Sequence, residues 1–248
     1  MSRSVTATAV NDTQQEQLWN APLAMAAIAH EIRNPLLAVS ANMELLHEQM
    51  DAHDPRRRCV DRALSEVDRL SGVVDRLVEF ASTQRPELER VSLSEFTLDA
   101  VTRERRLLEH EAEAGAACTI ELQGVEGCDV EVSIDRQLVS RVVANLLRNA
   151  ADAAGERGRV VVSVEVDDEA AVAVLRVEDD GPGVAGGMGE RIFEPFVTTK
   201  SNGTGLGLPF SRRIARAHGG DLVAHEGRSG RFDWTIPLAA APAMRGTE

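Results

Sequence analysis

The sequence predicts two domains, an all-α helical hairpin followed by an α/β sandwich. Apolar residues recur at heptad-like spacing from Ile28 to Met50 and again from Val60 to Leu77, with a break at Asp51-Ala-His-Asp-Pro55. That pattern marks two helices joined by a short turn. Beyond Pro86 the texture changes to alternating strand and helix patterns, as in a mixed α/β domain. A length of 248 residues suits two domains of ordinary size.

The elements follow in order. Residues 1–16 are polar and aperiodic, which predicts a flexible arm. In the first helix of the hairpin domain, 17–84, Ile32, Leu36, Val39, Met43, Leu46 and Met50 are spaced 4, 3, 4, 3, 4, and Ile28 extends the seam by one step. Val60, Leu64, Val67, Leu70, Val74 and Leu77 mark the second helix. Both stripes are wide for a single hairpin, so a second copy of the chain is expected to complete a four-helix bundle. Pro86 cannot continue a helix, and 85–92 reads as a linker. The α/β domain, 93–238, reads as a helix from Phe96 to Glu113, then strands at Cys118–Leu122 and Val130–Ser133. Asp135 is placed to cap a helix from Arg136 to Ala154, which Gly155 closes. Strands follow at Val160–Val166 and Val172–Val177, then a glycine-rich segment from Gly181 to Gly203. A helix at Leu206–His218 and strands at Leu222–Ala224 and Arg231–Ile236 complete the domain. Residues 239–248 read as a tail.

Composition excludes several functions. Asp and Glu number 40 against 27 Lys and Arg, a net charge of -13, so nucleic acid and anionic membrane surfaces repel the chain. Aromatic residues are scarce and Tyr is absent, which leaves little to stack on bases. Cys59, Cys118 and Cys128 form no CxxC pair, which speaks against a zinc ribbon or a disulfide scaffold. The apolar run Ala21–Ala29 is shorter than a membrane span, and the first residues lack the apolar core of a signal peptide. A cytoplasmic protein with no membrane insertion is expected. Lys200 is the only lysine.

Four motifs carry chemistry. The first is His30-Glu-Ile-Arg-Asn-Pro-Leu36. His30 lies about 200° around the helix from both Ile28 and Ile32, so it points away from the apolar seam. A neutral imidazole is a competent nucleophile near pH 7. Glu31 can hold the proton of the other ring nitrogen, and Asn34, one turn on, can place a water. The second motif puts Asn145, Asn149 and Asp152 on one helix face, where amide oxygens suit a hard cation such as Mg2+. The third, Asp179-Asp-Gly181-Pro-Gly183, follows a strong strand. A carboxylate there can accept an exocyclic amine, and the glycines admit a base closely. The fourth, Gly203-Thr204-Gly205-Leu206-Gly207-Leu208, opens a helix, where backbone N–H groups bind phosphate oxygens. Between the last two lies Ile192-Phe-Glu-Pro-Phe-Val-Thr-Thr-Lys200. Phe193 and Phe196 are placed to anchor a lid, and Lys200 to meet a phosphate.

Each motif alone is a weak signal; their order is a strong one. The chain resembles the bacterial sensor histidine kinases of two-component systems over roughly Leu18 to Leu238, and the HEIRNP and FEPFVTTK segments look most like the nitrogen-regulation subgroup. His30–Leu36 is similar to the H box, Asn145–Asn149 to the N box, Asp179–Gly183 to the G1 box, Ile192–Phe196 to the F box and Gly203–Leu208 to the G2 box. The resemblance implies a dimerisation and phosphotransfer hairpin, then a Bergerat-type ATP-binding sandwich. It implies ATP and Mg2+ as ligands. It makes His30 the phosphoacceptor, Glu31 its acid–base partner and Asn34 the residue used in dephosphorylating a partner's phospho-aspartate. Asn149 becomes the metal ligand, with Asn145 and Asp152 nearby, and Asp179 the adenine acceptor, with Gly181 and Gly183 shaping that pocket. Gly203, Thr204, Gly205, Leu206, Gly207 and Leu208 line the phosphates, and Thr199 and Lys200 belong to the lid. The implied partners are a second copy of the chain, the receiver domain of a response regulator, and a separate sensory protein as one source of the signal.

Two other classes compete. A degenerate scaffold or phosphatase would have no need of Asn149, Asp179 and the Gly203–Leu208 loop. Related fast ATPases on this fold place a Glu at the Asn145 position to activate water, and this chain has an amide there. His47, His53, His110, His218 and His225 lack metal-ligand spacing.

Overall fold

The computed structural model describes residues 28–29, 31–51, 54–81, 85–111, 118–125, 130–200 and 203–239. The expected arm at 1–16, His30, and the tail beyond residue 239 lie outside them. The chain divides into two compact units between Gln84 and Arg85. No helix among the described residues is long and apolar enough to cross a membrane.

The first unit is a helical hairpin. Helix α1 runs over residues 31–48 and α2 over Arg57–Ala81. The turn is built by Asp54, whose carboxylate accepts the backbone N–H of Arg56 at 2.8 Å and its guanidinium at 2.6 Å. Arg57 ties the turn back to α1, donating to the carbonyl of Met50 at 3.0 Å. Arg33 and Asp75 form an ion pair between the helices. The α1 seam splits in two. Leu36, Met43 and Met50 are half-buried, whereas Ile28, Ile32, Val39 and Leu46 are all more than 40% exposed. On α2 the buried members are Val60, Val67 and Val74, seven residues apart, and Leu70 between them is exposed. A hairpin covers one of the two rows of a heptad seam. The other row stays bare.

The second unit is a two-layer sandwich. Strand β1 (Glu89–Ser92) pairs antiparallel with β3 (Glu131–Ile134) as a small separate ribbon. The expected linker 85–92 therefore needs correcting: its last four residues are a strand, because β3 supplies hydrogen-bond partners that local sequence cannot reveal. The main sheet has strands β2 (Thr119–Gln123), β4 (Arg159–Asp167), β5 (Val172–Asp179), β6 (Asp221–Ala224) and β7 (Gly230–Pro237) in the order β2-β4-β5-β7-β6. Only the β2–β4 pair is parallel. Helices α3 (Leu93–Glu111), α4 (Arg136–Ala154) and α5 (Gly207–Ala217) make the other layer. Alternate strand residues, Val160, Val162 and Val164 on β4, Ala173, Leu175 and Val177 on β5, Phe232, Trp234 and Ile236 on β7, are buried beneath it. The period-2 pattern of a half-buried sheet requires this. Asp135 caps α4, its Oδ1 accepting the N–H groups of Gln137 and Leu138 at 3.0 and 3.1 Å. His218 Nε2 accepts the N–H of Asp135 at 3.0 Å and its Nδ1 donates to Ile214 at 2.7 Å, which joins the end of α5 to the start of α4.

The opposite face of the sheet carries charge. Asp233 accepts from Arg176 at 3.0 Å and from Arg231 at 2.6 Å, and Arg176 also reaches Glu165 at 2.8 Å. Burial pushes the Asp233 carboxyl up, but the hydrogen bonds from Arg231 and Arg176 outweigh it and hold the group at about 2. In an unfolded chain an Asp titrates near ~3.9. A carboxyl lowered on folding stabilises fully above its unfolded value, and that contribution fades as pH falls through the folded one. The contribution at neutral pH is on the order of 2 kcal/mol. Urea melts followed by circular dichroism should therefore show stability falling between pH 4 and 2, and Asp233→Asn should be less stable at pH 7 with a shallower acid slope.

Candidate active site

Strand periodicity places the first functional group. The inward row of β5 runs Ala173, Leu175, Val177 and ends on Asp179, so its carboxylate enters the helical layer and is only 5% exposed. Oδ1 accepts the N–H of Gly181 at 3.0 Å, and the backbone of Gly230 donates to the same carboxylate. Burial raises the Asp179 pKa, and these two donors oppose the rise. The neighbouring Asp180 is exposed and takes the N–H of Arg159 at 3.0 Å. The two adjacent carboxylates thus differ in role: one faces inward, the other ties down the start of β4. A Cβ on Gly181 would strike the backbone of Ala153 at the end of α4, so only glycine lets the loop pass beneath that helix. Gly183 lies beside the backbone of Gly227 and Ser229.

Helix α4 supplies the second group of side chains. Val142, Val143, Leu146, Leu147 and Ala150 are its buried stripe, and Asn145 and Asn149 sit half-buried on the flank while Asp152 is exposed. Asn145 Nδ2 donates to Ser211 Oγ of α5 at 2.9 Å. Its Oδ1 lies where a Cβ on Gly207 would be, so Gly207 lets the start of α5 close on the amide. Asn149 Oδ1 receives the ammonium of Lys200 at 3.0 Å, and Asp152 Oδ2 receives it at 2.7 Å. Three expected site residues from two distant stretches therefore meet at one cation.

The third group is the segment between β5 and α5. Its base is a clasp: the N–H of Phe196 donates to the carbonyl of Gly205 at 3.0 Å, with both residues at positive φ (67° and 66°). A side chain on Gly205 would collide with the Phe196 backbone. Thr198 Oγ1 accepts the N–H of Lys200 at 3.1 Å, and the N–H of Gly203 reaches the carbonyl of Lys200 at 3.1 Å. Leu206 is buried, Thr204 and Leu208 are half-buried, and Thr199 is exposed. Arg212 stacks 4.6 Å from the ring centre of Phe193. Phe196, expected as a second anchor, is instead 63% exposed, at the left-handed backbone of the clasp.

Several contributing residues carry no motif. Arg212 donates to Glu190 at 2.6 Å and to Asp221 at 2.9 Å, fastening the segment before the clasp to α5 and β6. Glu226 Oε1 accepts the N–H groups of Gly187 and Gly189 at 2.8 and 3.1 Å, holding the loop that follows Gly183. Ser211 lies one turn beyond Gly207 on α5, and that spacing is a legible signal. Glu226 sits 37 or more residues from the loop it holds, and no local pattern announces it. In the hairpin, Glu31 and Asn34 are exposed on α1, and His30 lies outside the described residues.

A strand-end carboxylate, an amide-lined helix and a glycine clasp thus lie on one domain, in a chain that also holds a helical hairpin. Comparison with known proteins gives the family. Residues 134–240 match the family of histidine kinase-, DNA gyrase B- and HSP90-like ATPases, and residues 23–86 match the His kinase A (phospho-acceptor) domain. The chain is 33% identical over 231 residues to the signal transduction histidine-protein kinase AtoS of Escherichia coli, covering 91% of this chain and 36% of that protein. It is 34% identical over 209 residues to the sensor protein kinase PilS of Pseudomonas aeruginosa, covering 83% and 38%. Full-length ShkA, solved in complex with AMPPNP, superposes with a TM-score of 0.71 at 25% identity, covering 90% of this chain and 47% of that one. The chain spans little more than a third of the length of these curated relatives. It belongs to the two-component sensor histidine kinase family.

Proposed function

We propose that the chain is an ATP-dependent protein-histidine kinase. The second unit binds ATP, a ring nitrogen of His30 takes the γ-phosphoryl group, and an Asp of a response regulator's receiver domain receives it. The observation that carries this reading is the meeting of Asn149, Asp152 and Lys200 in the same domain as the buried Asp179 and the Phe196–Gly205 clasp. Asp179 would accept the adenine amine. Phosphates would lie along Gly203–Leu208, where backbone N–H groups at the start of α5 favour anions.

The residues present fit Mg2+. The Asn149 amide oxygen already draws a cation, the Lys200 ammonium. Mg2+ takes few protein ligands and keeps several waters, so phosphates and water would complete its coordination beside the Asn149 oxygen. Mg2+, when bound, neutralises phosphate charge. In the transfer step a bond forms between a His30 nitrogen and the γ-phosphorus, and the bond from phosphorus to the bridging oxygen breaks, releasing ADP. Glu31 holds the proton on the other ring nitrogen. Asn145, fixed on Ser211, cannot take a proton from water, which supports transfer over hydrolysis. Asn34 would place the water that removes phosphate from the partner.

The bare half of the hairpin seam, Ile28, Ile32, Val39 and Leu46, supports a homodimer closing a four-helix bundle. About half of each side chain is still exposed, so covering the remainder contributes on the order of 1 kcal/mol apiece. Cytoplasmic placement and a separate sensory protein as signal source belong to the same reading. Incubation with γ-labelled ATP and Mg2+ tests it. An alkali-stable, acid-labile label on the chain is expected. Fast phosphate release with no phosphoprotein would overturn it in favour of an ATPase.

A further inference from the structure

Lys200 is the only lysine in the chain, and although its side chain is 40% exposed, its ammonium is engaged by two oxygens of α4. Nζ lies 2.7 Å from Asp152 Oδ2 and 3.0 Å from Asn149 Oδ1. Asp152 follows Asn149 by three residues on α4, so both carbonyl-type oxygens face the same side of the helix. The approach of Lys200 is fixed from its own side as well, through the hydrogen bond of its N–H to Thr198 and the turn to Gly203. The Asn149 oxygen is also the one that the proposed function gives to Mg2+. One amide oxygen carries only a small partial charge, and two cations drawn to it repel one another at short range. The carboxylate of Asp152 tips the balance. It gives Lys200 a full counter-charge, as a charge-assisted hydrogen bond, where Asn149 alone offers a neutral one.

We propose that Asp152 is a positioning residue for nucleotide binding, holding the Lys200 ammonium on Asn149 so that the site is filled by a cation before Mg2+-nucleotide arrives. Binding then requires an exchange. The ammonium leaves the Asn149 oxygen as the metal takes it, and becomes available to the incoming phosphates. Asp152 sets how readily this exchange occurs. The proposal rests on Asn149 holding the metal in the reading above. It differs from the expectation that Asp152 itself contacts the nucleotide.

The test uses the whole chain, Mg2+ and AMPPNP. Isothermal titration of Asp152→Asn should show AMPPNP binding several-fold tighter than in the parent, with the Mg2+ titration midpoint at fixed AMPPNP moved lower. Lys200→Gln should remove most of this difference, so that the double variant binds like Lys200→Gln alone. Asp152→Glu should restore the parent behaviour. Because there is one lysine, lysine labelled with 15N gives a single side-chain ammonium signal. In the parent it should sit at a held position and move on adding Mg2+ and AMPPNP. In Asp152→Asn it should sit at the free-lysine position from the start. Weaker binding in Asp152→Asn would overturn the proposal and make Asp152 a direct partner of the metal or its waters. An unchanged affinity, or a parent ammonium signal at the free position, would overturn it too. Failure of the parent chain to bind Mg2+ and AMPPNP at all would instead remove the functional reading beneath it.

Discussion

A His30→Gln chain should take no detectable label from γ-labelled ATP, a loss of at least roughly 10³-fold, the scale seen when a nucleophile is removed. A glutamine side chain has no ring nitrogen with a free lone pair, so no bond to phosphorus can form. Glutamine is also a good helix former. AMPPNP affinity should be retained, because Asp179, Asn149 and the Gly205 clasp all belong to the second unit and build their contacts there. Lost label with retained binding assigns the phosphoacceptor. Label persisting in His30→Gln would move the acceptor elsewhere and break the reading of the first motif. Treating the labelled parent with acid and with alkali separates phosphohistidine from phosphoserine.

Asp179→Asn should weaken AMPPNP binding about 100-fold, close to 2.7 kcal/mol. The carboxylate is buried and surrounded by donors, with the Gly181 N–H 3.0 Å from Oδ1 and Gly230 contributing a second. An amide in its place must turn an NH2 group toward one of those N–H groups or toward the adenine amine proposed for this site. Either orientation leaves a buried donor unpaired, which costs about 1–3 kcal/mol. Asp180→Asn is the matched control. Asp180 is exposed and engaged with the Arg159 N–H, so its affinity should change by less than about threefold, as for a surface substitution. Circular dichroism on both variants shows whether the domain stays folded. Equal losses in the two variants would show that the buried position of Asp179 confers no special role in binding.

Much of the fold was legible because its local rules agree with its tertiary outcome. The helix α4 runs from Arg136 to Ala154 as read, since Asp135 and Gly155 bound it chemically at both ends. The strands β4 and β5 are rich in β-branched residues and end within two residues of the expected bounds. Strand β1 is not legible in the sequence because Glu89–Ser92 is short and mostly polar, and only pairing with Glu131–Ile134 makes it a strand. The heptad spacing of α1 predicts one apolar face. The structure divides it into covered Leu36, Met43 and Met50 and bare Ile32, Val39 and Leu46. Sequence spacing gives a residue's angle on the helix; it does not say how wide a neighbouring helix is.

The candidate site divides the same way. By itself the sequence determined which residue types are present and which share a face: Asn145, Asn149 and Asp152 on one helix, Asp179 at a strand end, glycines before a helix. Periodicity and backbone sterics are local properties, and they are written residue by residue. The tertiary structure alone decided that Lys200, 48 residues beyond Asp152, closes on Asp152 and Asn149. It also decided that Glu226 holds the loop after Gly183 and that Arg212 fastens the segment before the clasp. Those are single charge pairs between segments brought together by sheet order. A charge carries no address in sequence, because Coulomb attraction depends on the distance that folding sets.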